Sequence, residues 1–192
     1  KAADKVATEA MRKVLQDSNV HTRVVIGEGE RDDAPMLYIG EEMGNPKSDL
    51  KIDIAVDPLE CTNHCAKDLP DALSVLAAAP RGALLNAPDT YMNKLCGSSK
   101  LIGHIALDNS VEDNLSLAAK ALQKNISELK IVVMDRNRHV DLISSLKDLG
   151  VQPILIGDGD VSGGLKAAEG SVDLLYGIGA CLLYTSDAAD DP

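Results

Sequence analysis

The feature that most constrains the fold of this chain is a regular alternation of helical and strand patterns from Val111 onward. Segments with apolar residues at helical spacing are each followed by a short run rich in Val, Ile and Leu. Successions of this kind form βαβ units, in which helical crossovers join parallel strands. The sequence therefore predicts an α/β class, layered as α+β overall, whose C-terminal half is a largely parallel βαβ sheet with helices at 111–124, 138–149 and 161–168 and strands at 129–134, 152–157 and 172–176.

The first half of the chain has a less regular pattern. Residues 2–17 place Met11, Val14 and Leu15 on one face of an amphipathic helix. Pro35 suits the first turn of a second helix, over 34–43. We expect a division within the loop 101–110, giving halves 1–105 and 106–180, with first-half strands at 22–27, 51–57, 71–79 and 84–95.

An apolar strand ends abruptly in two carboxylates separated by a proline turn, Asp57-Pro58-Leu59-Glu60. Proline cannot continue a sheet ladder, so the strand should stop at Asp57 and direct both acids out of its carboxyl end. Oxygen ligands of this kind suit Mg²⁺ or Mn²⁺. Taken alone, the same residues also fit a simple turn in which the acids only cap the backbone.

Two further acids lie at the ends of apolar elements. Glu28 follows the strand Val24–Gly27, and Asp4 lies in the first turn of the first helix. If the strands ending at Glu28 and Asp57 are neighbours, their carboxylates would repel each other unless cations lay between them. The following acids, Glu30, Asp32 and Asp33, fit solvated loop charges equally well.

Polar clusters also follow strands elsewhere in the chain. Arg136-Asn137-Arg138-His139 stands where a strand meets a helix, a position suited to an anion, although two arginines there also fit a solvated face. Asp158-Gly159-Asp160 lacks dinucleotide-loop spacing and better suits sugar hydroxyls. Tyr91 or Lys94 could contact a phosphate, while core packing is an equally simple role for Tyr91.

Composition excludes several classes of function. The net charge of −11 argues against a nucleic-acid or anionic-membrane surface, and no apolar run has the length of a membrane span. The cysteines form no regular framework, which favours reduced thiols in a cytoplasmic or plastid-stromal compartment. Cys61, His64 and Cys65 are close in sequence, but no second pair completes a zinc spacing.

Both ends of the sequence are unusual. The chain begins within a helical pattern, with no Met and no cap, so we expect further residues before it. After Tyr176-Gly-Ile-Gly-Ala180 the pattern stops, and residues 181–192 resemble the translated read-through of a sequencing adapter. We therefore treat 181–192 as a non-native tail and leave it out of the fold and function.

Six strings of the chain occur together in a characteristic order. They are V-I-G-E-G-E-x-D-x-A-P-M-L-Y-I-G-E (25–41), D-I-A-V-D-P-L-E-x-T (53–62), N-A-P-D-T-Y-M-N-K-L (86–95), D-R-N-R-H (135–139), G-D-G-D-V (157–161) and D-L-L-Y-G-I-G (173–179). In this order they resemble the class II, GlpX-type fructose-1,6-bisphosphatases, and the resemblance covers residues 1–180. D-P-x-E-x-T also resembles the D-P-x-D-G-T hallmark of the wider lithium-sensitive phosphatase superfamily.

The resemblance implies a sugar-phosphatase fold of alternating helix and sheet layers and a metal-dependent hydrolysis of the 1-phosphate of fructose 1,6-bisphosphate, with sedoheptulose 1,7-bisphosphate as a possible second substrate. It also implies that the full-length protein is a homo-oligomer. Mg²⁺ or Mn²⁺ would be held by Asp4, Glu28, Asp57 and Glu60. Thr62 would orient the attacking water beside Asp57, Glu60 and Glu28. Substrate would contact Glu60, Cys61, Thr62, Tyr91, Arg136, Asn137, Arg138, Asp158, Gly159 and Asp160.

The chain departs from the family pattern in three places. Cys61 replaces a glycine, and a positive φ there would cost a cysteine about 1 kcal/mol. Residues 66–72 differ from the usual family string. After Gly179 the family continues with G-A-P-E-G, whose Glu is a further metal ligand, and this chain lacks it. Two other interpretations therefore stay open: a superfamily phosphatase acting on inositol phosphates or phosphonucleotides, and a non-catalytic cation-binding fragment.

Overall fold

A computed structural model describes residues 2–27, 37–84 and 90–180. The described residues up to Thr90 form one compact unit, and Tyr91–Gly179 form a second. The division therefore precedes the loop 101–110 in which the sequence placed it. The reason is that the strand beginning at Tyr91 pairs within the second sheet. None of the described helices is long and apolar enough to cross a membrane.

The first unit is a four-stranded mixed sheet with a helix packed against it. The strands are ordered β2-β1-β3-β4, with β1 and β3 parallel and the outer strands antiparallel to their neighbours. Met11 and Leu15 of the first helix pack against a core that includes Val24, Ile54 and Val56. The elements are α1 (Ala2–Gln16), β1 (His21–Ile26), β2 (Glu42–Gly44), β3 (Lys51–Glu60), α2 (Thr62–Ala66) and β4 (Leu73–Pro80).

The second unit has the predicted alternation of helices and strands around a sheet ordered β5-β8-β6-β7. Strand β6 is parallel to both β7 and β8, which confirms the largely parallel sheet. Leu115, Ile131, Leu146 and Leu174 are fully buried in its core. The elements are β5 (Tyr91–Gly97), α3 (Val111–Leu122), β6 (Ile131–Met134), α4 (Val140–Asp148), β7 (Ile154–Ile156), α5 (Asp160–Glu169) and β8 (Leu174–Ala180).

Two predictions about the first half are wrong. The helix expected over 34–43 does not form in its described part, because Gly40 and Glu41 exchange backbone hydrogen bonds with Val24 and residues 42–44 form β2. Strand β3 does not stop at Asp57 but continues to Glu60. A break in the register with β4 between Asp57 and Glu60 accommodates Pro58, whose missing N–H is not needed there.

Candidate active site

In the second unit, the carboxyl ends of β6, β7 and β8 lie at one edge of the sheet because the three strands are parallel. Strand β6 leads into Asp135–His139, and β7 leads into Gly157–Asp160. In open α/β sheets, ligands bind in the crevice outside this edge. Two of the clusters singled out from the sequence therefore converge at the position where such folds place a ligand.

His139 fixes the loop after β6 to strand β8. Its Nδ1 lies 2.8 Å from the carbonyl oxygen of Met134, and its Nε2 lies 2.8 Å from the backbone nitrogen of Ile178. Since Ile178 N–H must donate to Nε2, the ring is the neutral tautomer with its proton on Nδ1. The side chain is 1% exposed, and this burial, with the charges of Arg138 and Arg136, lowers the pKa of His139 despite the two backbone partners.

Arg138 contacts the same residue of β8, Ile178, at its carbonyl group. Its Nε donates to the carbonyl oxygen of Ile178 at 3.1 Å. Its guanidinium carbon lies 4.9 Å from the centre of the Tyr91 ring, a cation–π contact that orients the guanidinium. Tyr91 is 47% exposed, so core packing is not its role here. The structure thus brings together Tyr91 and Arg138, both predicted to bind substrate.

The neighbouring residues of the same loop are placed differently. Arg136 is half-buried, and its Nη1 donates to the carbonyl oxygen of Asp135 at 3.0 Å. Asn137 is exposed and begins the short 3₁₀ turn Asn137–His139. Both residues belong to the loop that follows β6 at this edge of the sheet.

The loop after β7 buries two carboxylates. Asp158 Oδ1 accepts a hydrogen bond from the backbone nitrogen of Gly159 at 3.0 Å. Gly159 has φ 87°, so glycine allows the sharp turn into α5. Asp160 begins that helix and forms an ion pair with Lys94 of β5. A small cavity beside this pair is lined by Lys94, Met134, His139, Asp160 and residues 175–178 of β8.

In the first unit, Asp57 and Glu60 are both buried at the end of β3, at 2% and 0% exposure. Asp57 Oδ1 accepts a hydrogen bond from the backbone nitrogen of Leu59 at 3.0 Å, which closes the turn around Pro58. The capping role considered for Asp57 is therefore present. A turn cap alone does not require burial, and a buried carboxylate is costly unless a charge or hydrogen bonds compensate it.

Cys61 follows Glu60 directly and adopts the left-handed conformation, with φ 70° and ψ 51°. The side chain is 1% exposed. The sequence analysis expected a cysteine in place of glycine to be strained if its φ is positive. The φ of Cys61 is positive, so the strain is expected. Thr62, the first residue of α2, is half-buried beside it.

The first helix approaches this end of the sheet with its N-terminal turn. Leu15, near its C-terminus, contacts the region where β2 pairs with the start of β1, so α1 runs opposite to β1 and β3. Asp4 and the buried Thr8 therefore lie toward the carboxyl ends of those strands. Asp4 Oδ1 is buried and accepts no hydrogen bond from the residues that the structure describes.

The predicted metal ligands Asp4, Asp57 and Glu60 do not form a complete cation site within the described residues. No group of three His, Cys, Asp or Glu side chains close enough to hold a metal occurs among residues 2–27, 37–84 and 90–180. Glu28, which would follow β1, lies outside these ranges. The oxygen chemistry of Asp4, Asp57 and Glu60 and the buried Oδ1 of Asp4 nonetheless suit a hard cation.

The chain also matches a known protein family. A family profile described as bacterial fructose-1,6-bisphosphatase, glpX-encoded, matches residues 1–182. The chain belongs to this family. Residues 183–192 lie beyond the match.

Similar curated proteins come from cyanobacteria. The chain is 46% identical over 193 aligned positions to a protein of Synechococcus sp. (strain JA-3-3Ab) named D-fructose 1,6-bisphosphatase class 2/sedoheptulose 1,7-bisphosphatase. It is 45% identical to the proteins of the same name from Thermosynechococcus vestitus and Synechocystis sp.. These alignments cover 93–94% of this chain but only 55–56% of each relative. The chain thus spans about half the length of the relatives it matches.

For this family member, the sequence analysis assigned no role of their own to three residues that organise the second-unit site. His139, Gly177 and Gly179 all act on β8, and a Cβ at Gly177 would lie 2.9 Å from His139 Nε2. The G-I-G string was quoted only for its resemblance. Two glycines flanking one residue at the end of a strand were a signal that other groups approach the backbone closely there.

Proposed function

We propose that this chain is part of a metal-dependent phosphatase that hydrolyses the 1-phosphate of fructose 1,6-bisphosphate and releases fructose 6-phosphate. Membership of the family and the names of the relatives support this proposal. The observation that carries it furthest is the arrangement around β8, where Arg138 and Tyr91 lie at the same sheet edge as Asp160. The relatives' names also support sedoheptulose 1,7-bisphosphate as a second substrate.

Arg138 and Arg136 would bind the phosphate that stays on the sugar. A guanidinium presents several N–H donors in a plane and binds phosphate oxygens in pairs. In Arg138, Nε is engaged by Ile178 and the ring of Tyr91 lies against the guanidinium, which fixes its plane before a ligand arrives. Asn137 would add a neutral contact in the same loop. Preorganisation of this kind raises affinity because less freedom is lost on binding.

The loop Asp158-Gly159-Asp160 would bind the sugar hydroxyls. Carboxylate oxygens accept hydrogen bonds from hydroxyl groups but repel phosphate oxygens, so these acids suit the sugar more than either phosphate. Both acids are buried, at 7% and 4% exposure, so water competes weakly for them. In the second unit, the loop would thus bind the sugar, and the arginines would bind the phosphate that stays on it.

Asp4, Glu28, Asp57 and Glu60 would hold Mg²⁺ or Mn²⁺ in the first unit. Such ions, when bound, act as Lewis acids on phosphoryl oxygens and lower the pKa of coordinated water. Thr62 would orient the attacking water through its hydroxyl, and Glu60, Cys61 and Thr62 would contact the reacting phosphate. The backbone turn of Asp57–Leu59 would keep the Asp57 carboxylate in one orientation for this role.

A chimera tests the proposal, because the relatives are nearly twice as long as their aligned parts. The aligned segment of the Synechococcus relative would be replaced by residues 1–180 of this chain. We expect the chimera to release phosphate from fructose 1,6-bisphosphate with Mn²⁺ or Mg²⁺ added, and Asp57→Asn to lower kcat at least 100-fold. Asp17→Asn, an exposed acid on the same unit, is the matched control and should keep full activity.

Metal binding can be measured separately from activity. Titration of the metal-free chimera with Mn²⁺ should show tight binding that Asp57→Asn and Glu60→Gln each weaken. A chimera that prefers inositol phosphate or a phosphonucleotide would contradict the substrate, and equal Mn²⁺ affinity in all variants would contradict the ligands. Thr62→Val with full turnover would refute the role of Thr62.

A further inference from the structure

Lys94 and Asp160 form an unusually enclosed ion pair in the second unit. Their side chains are 13% and 6% exposed, whereas the surface pair Lys13–Asp17 has side chains 76% and 65% exposed. A lysine held in this way has given up much of its hydration and its conformational freedom. Such a pair needs a structural or functional explanation beyond surface charge.

The pair lies directly against the backbone of β8. A Cβ at Gly179 would overlap Asp160 Oδ2 and would lie 3.0 Å from Lys94 Nζ. The pair therefore joins the start of α5 to β5. It occupies the space beside the backbone of Gly179, where a larger residue would have no room for its side chain. At the C-terminal end of β5, Gly97 lies beside Leu174, the first residue of β8, so β5 approaches β8 closely there as well.

The two carboxylate oxygens of Asp160 have different surroundings. Lys94 pairs with Oδ2, and this is the one side-chain hydrogen bond or ion pair of Asp160 within the part of the chain that the structure describes. Both residues line the cavity that also includes His139 and Tyr176. Oδ1 is thus the oxygen left to accept a hydrogen bond from a ligand at this edge of the sheet.

We infer that Lys94 is a positioning residue for sugar recognition, and this inference rests on the proposed function. Lys94 holds Oδ2 of Asp160, so that Oδ1 is presented to a hydroxyl group of the sugar. Lys94 does not bind phosphate itself, because its ammonium group is engaged by the carboxylate and largely enclosed. The ligand class is a ketose phosphate whose hydroxyl donates to Asp160.

The test measures binding in the intact chain. Fructose 6-phosphate and inorganic phosphate are titrated into the wild-type protein and into Lys94→Met, Lys94→Arg and Asp160→Asn, with NMR shifts as the readout. We expect Lys94→Met to weaken fructose 6-phosphate about 10- to 100-fold, the range for a lost hydrogen bond to a charged group, and to leave phosphate affinity unchanged. Lys94→Arg should recover most of the loss.

A double variant separates positioning from direct contact. If Lys94 acts through Asp160, Lys94→Met combined with Asp160→Asn should bind fructose 6-phosphate no more weakly than Asp160→Asn alone. Lys124→Met is the matched control, since it breaks the Lys124–Asp173 ion pair of the same unit and should leave both affinities unchanged. Thermal unfolding followed by circular dichroism identifies any variant that does not fold, and Lys94→Arg and Asp160→Asn then carry the test.

Each result decides between roles. An equal loss of phosphate affinity in Lys94→Met would show that Lys94 binds phosphate directly, and additive losses in the double variant would show independent contacts. Unchanged affinities in Lys94→Met would overturn the inference while leaving the proposed function intact. A wild-type chain that binds neither probe would contradict the proposed function, and the inference with it.

Discussion

Cys61 is the residue at which local conformation and the proposed site are most closely connected. It is buried and left-handed, directly between Glu60 and Thr62. The left-handed region costs a residue with a Cβ about 1–2 kcal/mol. The resemblance to a family with glycine here predicted the position of this strain, because glycine alone adopts such a φ without cost.

Substitutions at Cys61 should reverse the ordinary ranking of alanine and glycine. We expect Cys61→Gly to have a free energy of unfolding about 1 kcal/mol higher than Cys61→Ala, because only glycine relieves the strain. Cys65 lies within α2 and is the matched control, where alanine should be the more stable by a similar amount. Urea unfolding measures both pairs, and the same ranking at the two positions would refute strain at Cys61.

The burial of His139 predicts that the folded protein loses stability as the pH falls below the ordinary pKa of histidine. Its pKa is lowered in the folded state by burial and by Arg138 and Arg136, so the unfolded chain takes up a proton at higher pH than the folded chain. Its contribution is therefore complete above about pH 6.5, the ordinary pKa of histidine, and is lost as pH falls from there through the lower folded pKa.

The measurement is the free energy of unfolding between pH 8 and pH 5. His139→Gln should flatten this part of the profile, although glutamine also lowers stability at pH 8 by disturbing the contacts to Met134 and Ile178. The exposed His104 is the control, and His104→Gln should leave the slope unchanged. An unaltered slope in His139→Gln would show that another group titrates.

At the scale of elements, the sequence predicted α3 to α5 and β6 to β8 within a few residues. These segments carry strong apolar periodicity and local end signals, such as Ser110, whose side chain accepts a hydrogen bond from the backbone nitrogen of Asp113 to begin α3. The error at β3 is of another kind. Whether Pro58 ends a strand depends on the register of β4, which local sequence does not contain.

The candidate site shows the same limit. Strand-end reasoning identified Arg138 and Asp160, because parallel strands bring their carboxyl ends to one edge. It could not show that Lys94 pairs with Asp160 or that His139 contacts Ile178, since these contacts join residues 66 and 39 positions apart. Side-chain partners at such separations are fixed by packing rather than by local pattern.

The first sheet contains an ionic element that the sequence did not reveal. Asp53 is 1% exposed, and its carboxylate accepts hydrogen bonds from Arg23 at 3.0 and 2.9 Å and from the Gly82 nitrogen at 2.6 Å, with Arg81 Nε 3.2 Å away. Burial alone would raise the pKa of Asp53, but these partners outweigh it and the pKa is lowered. The carboxylate thereby connects β1, β3 and the turn after β4.

Neutralising Asp53 should destabilise the first sheet. We expect Asp53→Asn to lower the free energy of unfolding by about 2–4 kcal/mol at pH 7, because it removes the charge around which two arginines are arranged. The loss should shrink as pH falls through the lowered pKa, where the wild-type carboxyl is itself protonated. Urea unfolding at pH 7 and pH 3 measures this, with the exposed pair variant Asp17→Asn expected to change little. Equal effects of the two substitutions would contradict the ionic element.

At the scale of the whole molecule, each unit has its own buried core. Val24, Ile54 and Val56 belong to the first, whereas Leu115 and Leu146 belong to the second. A unit with its own core and complete sheet pairing can fold by itself. The division at Thr90 and Tyr91 is therefore expected to be a folding boundary as well as a geometric one.

We predict that residues 91–180, expressed alone, unfold in one cooperative transition. Leu146→Ala should lower the stability of this fragment by about 2–5 kcal/mol, the usual cost of deleting a fully buried leucine. Circular dichroism against urea concentration measures both. In the intact chain, Ile54→Ala provides the converse control and should accelerate amide exchange in the first unit only. A non-cooperative fragment would show that its core needs the rest of the chain.

The end of β8 has a consequence for how substrate preference can change. Ile178 is held at its nitrogen by His139 and at its oxygen by Arg138, and the glycines on either side leave no room for a side chain. The end of the strand therefore acts as a fixed backbone support, and Gly177 and Gly179 have no side chains that could contact a ligand. We therefore expect changes in substrate preference to arise from the loops after β6 and β7 rather than from the end of β8, where a Cβ at Gly177 or Gly179 would collide with neighbouring side chains.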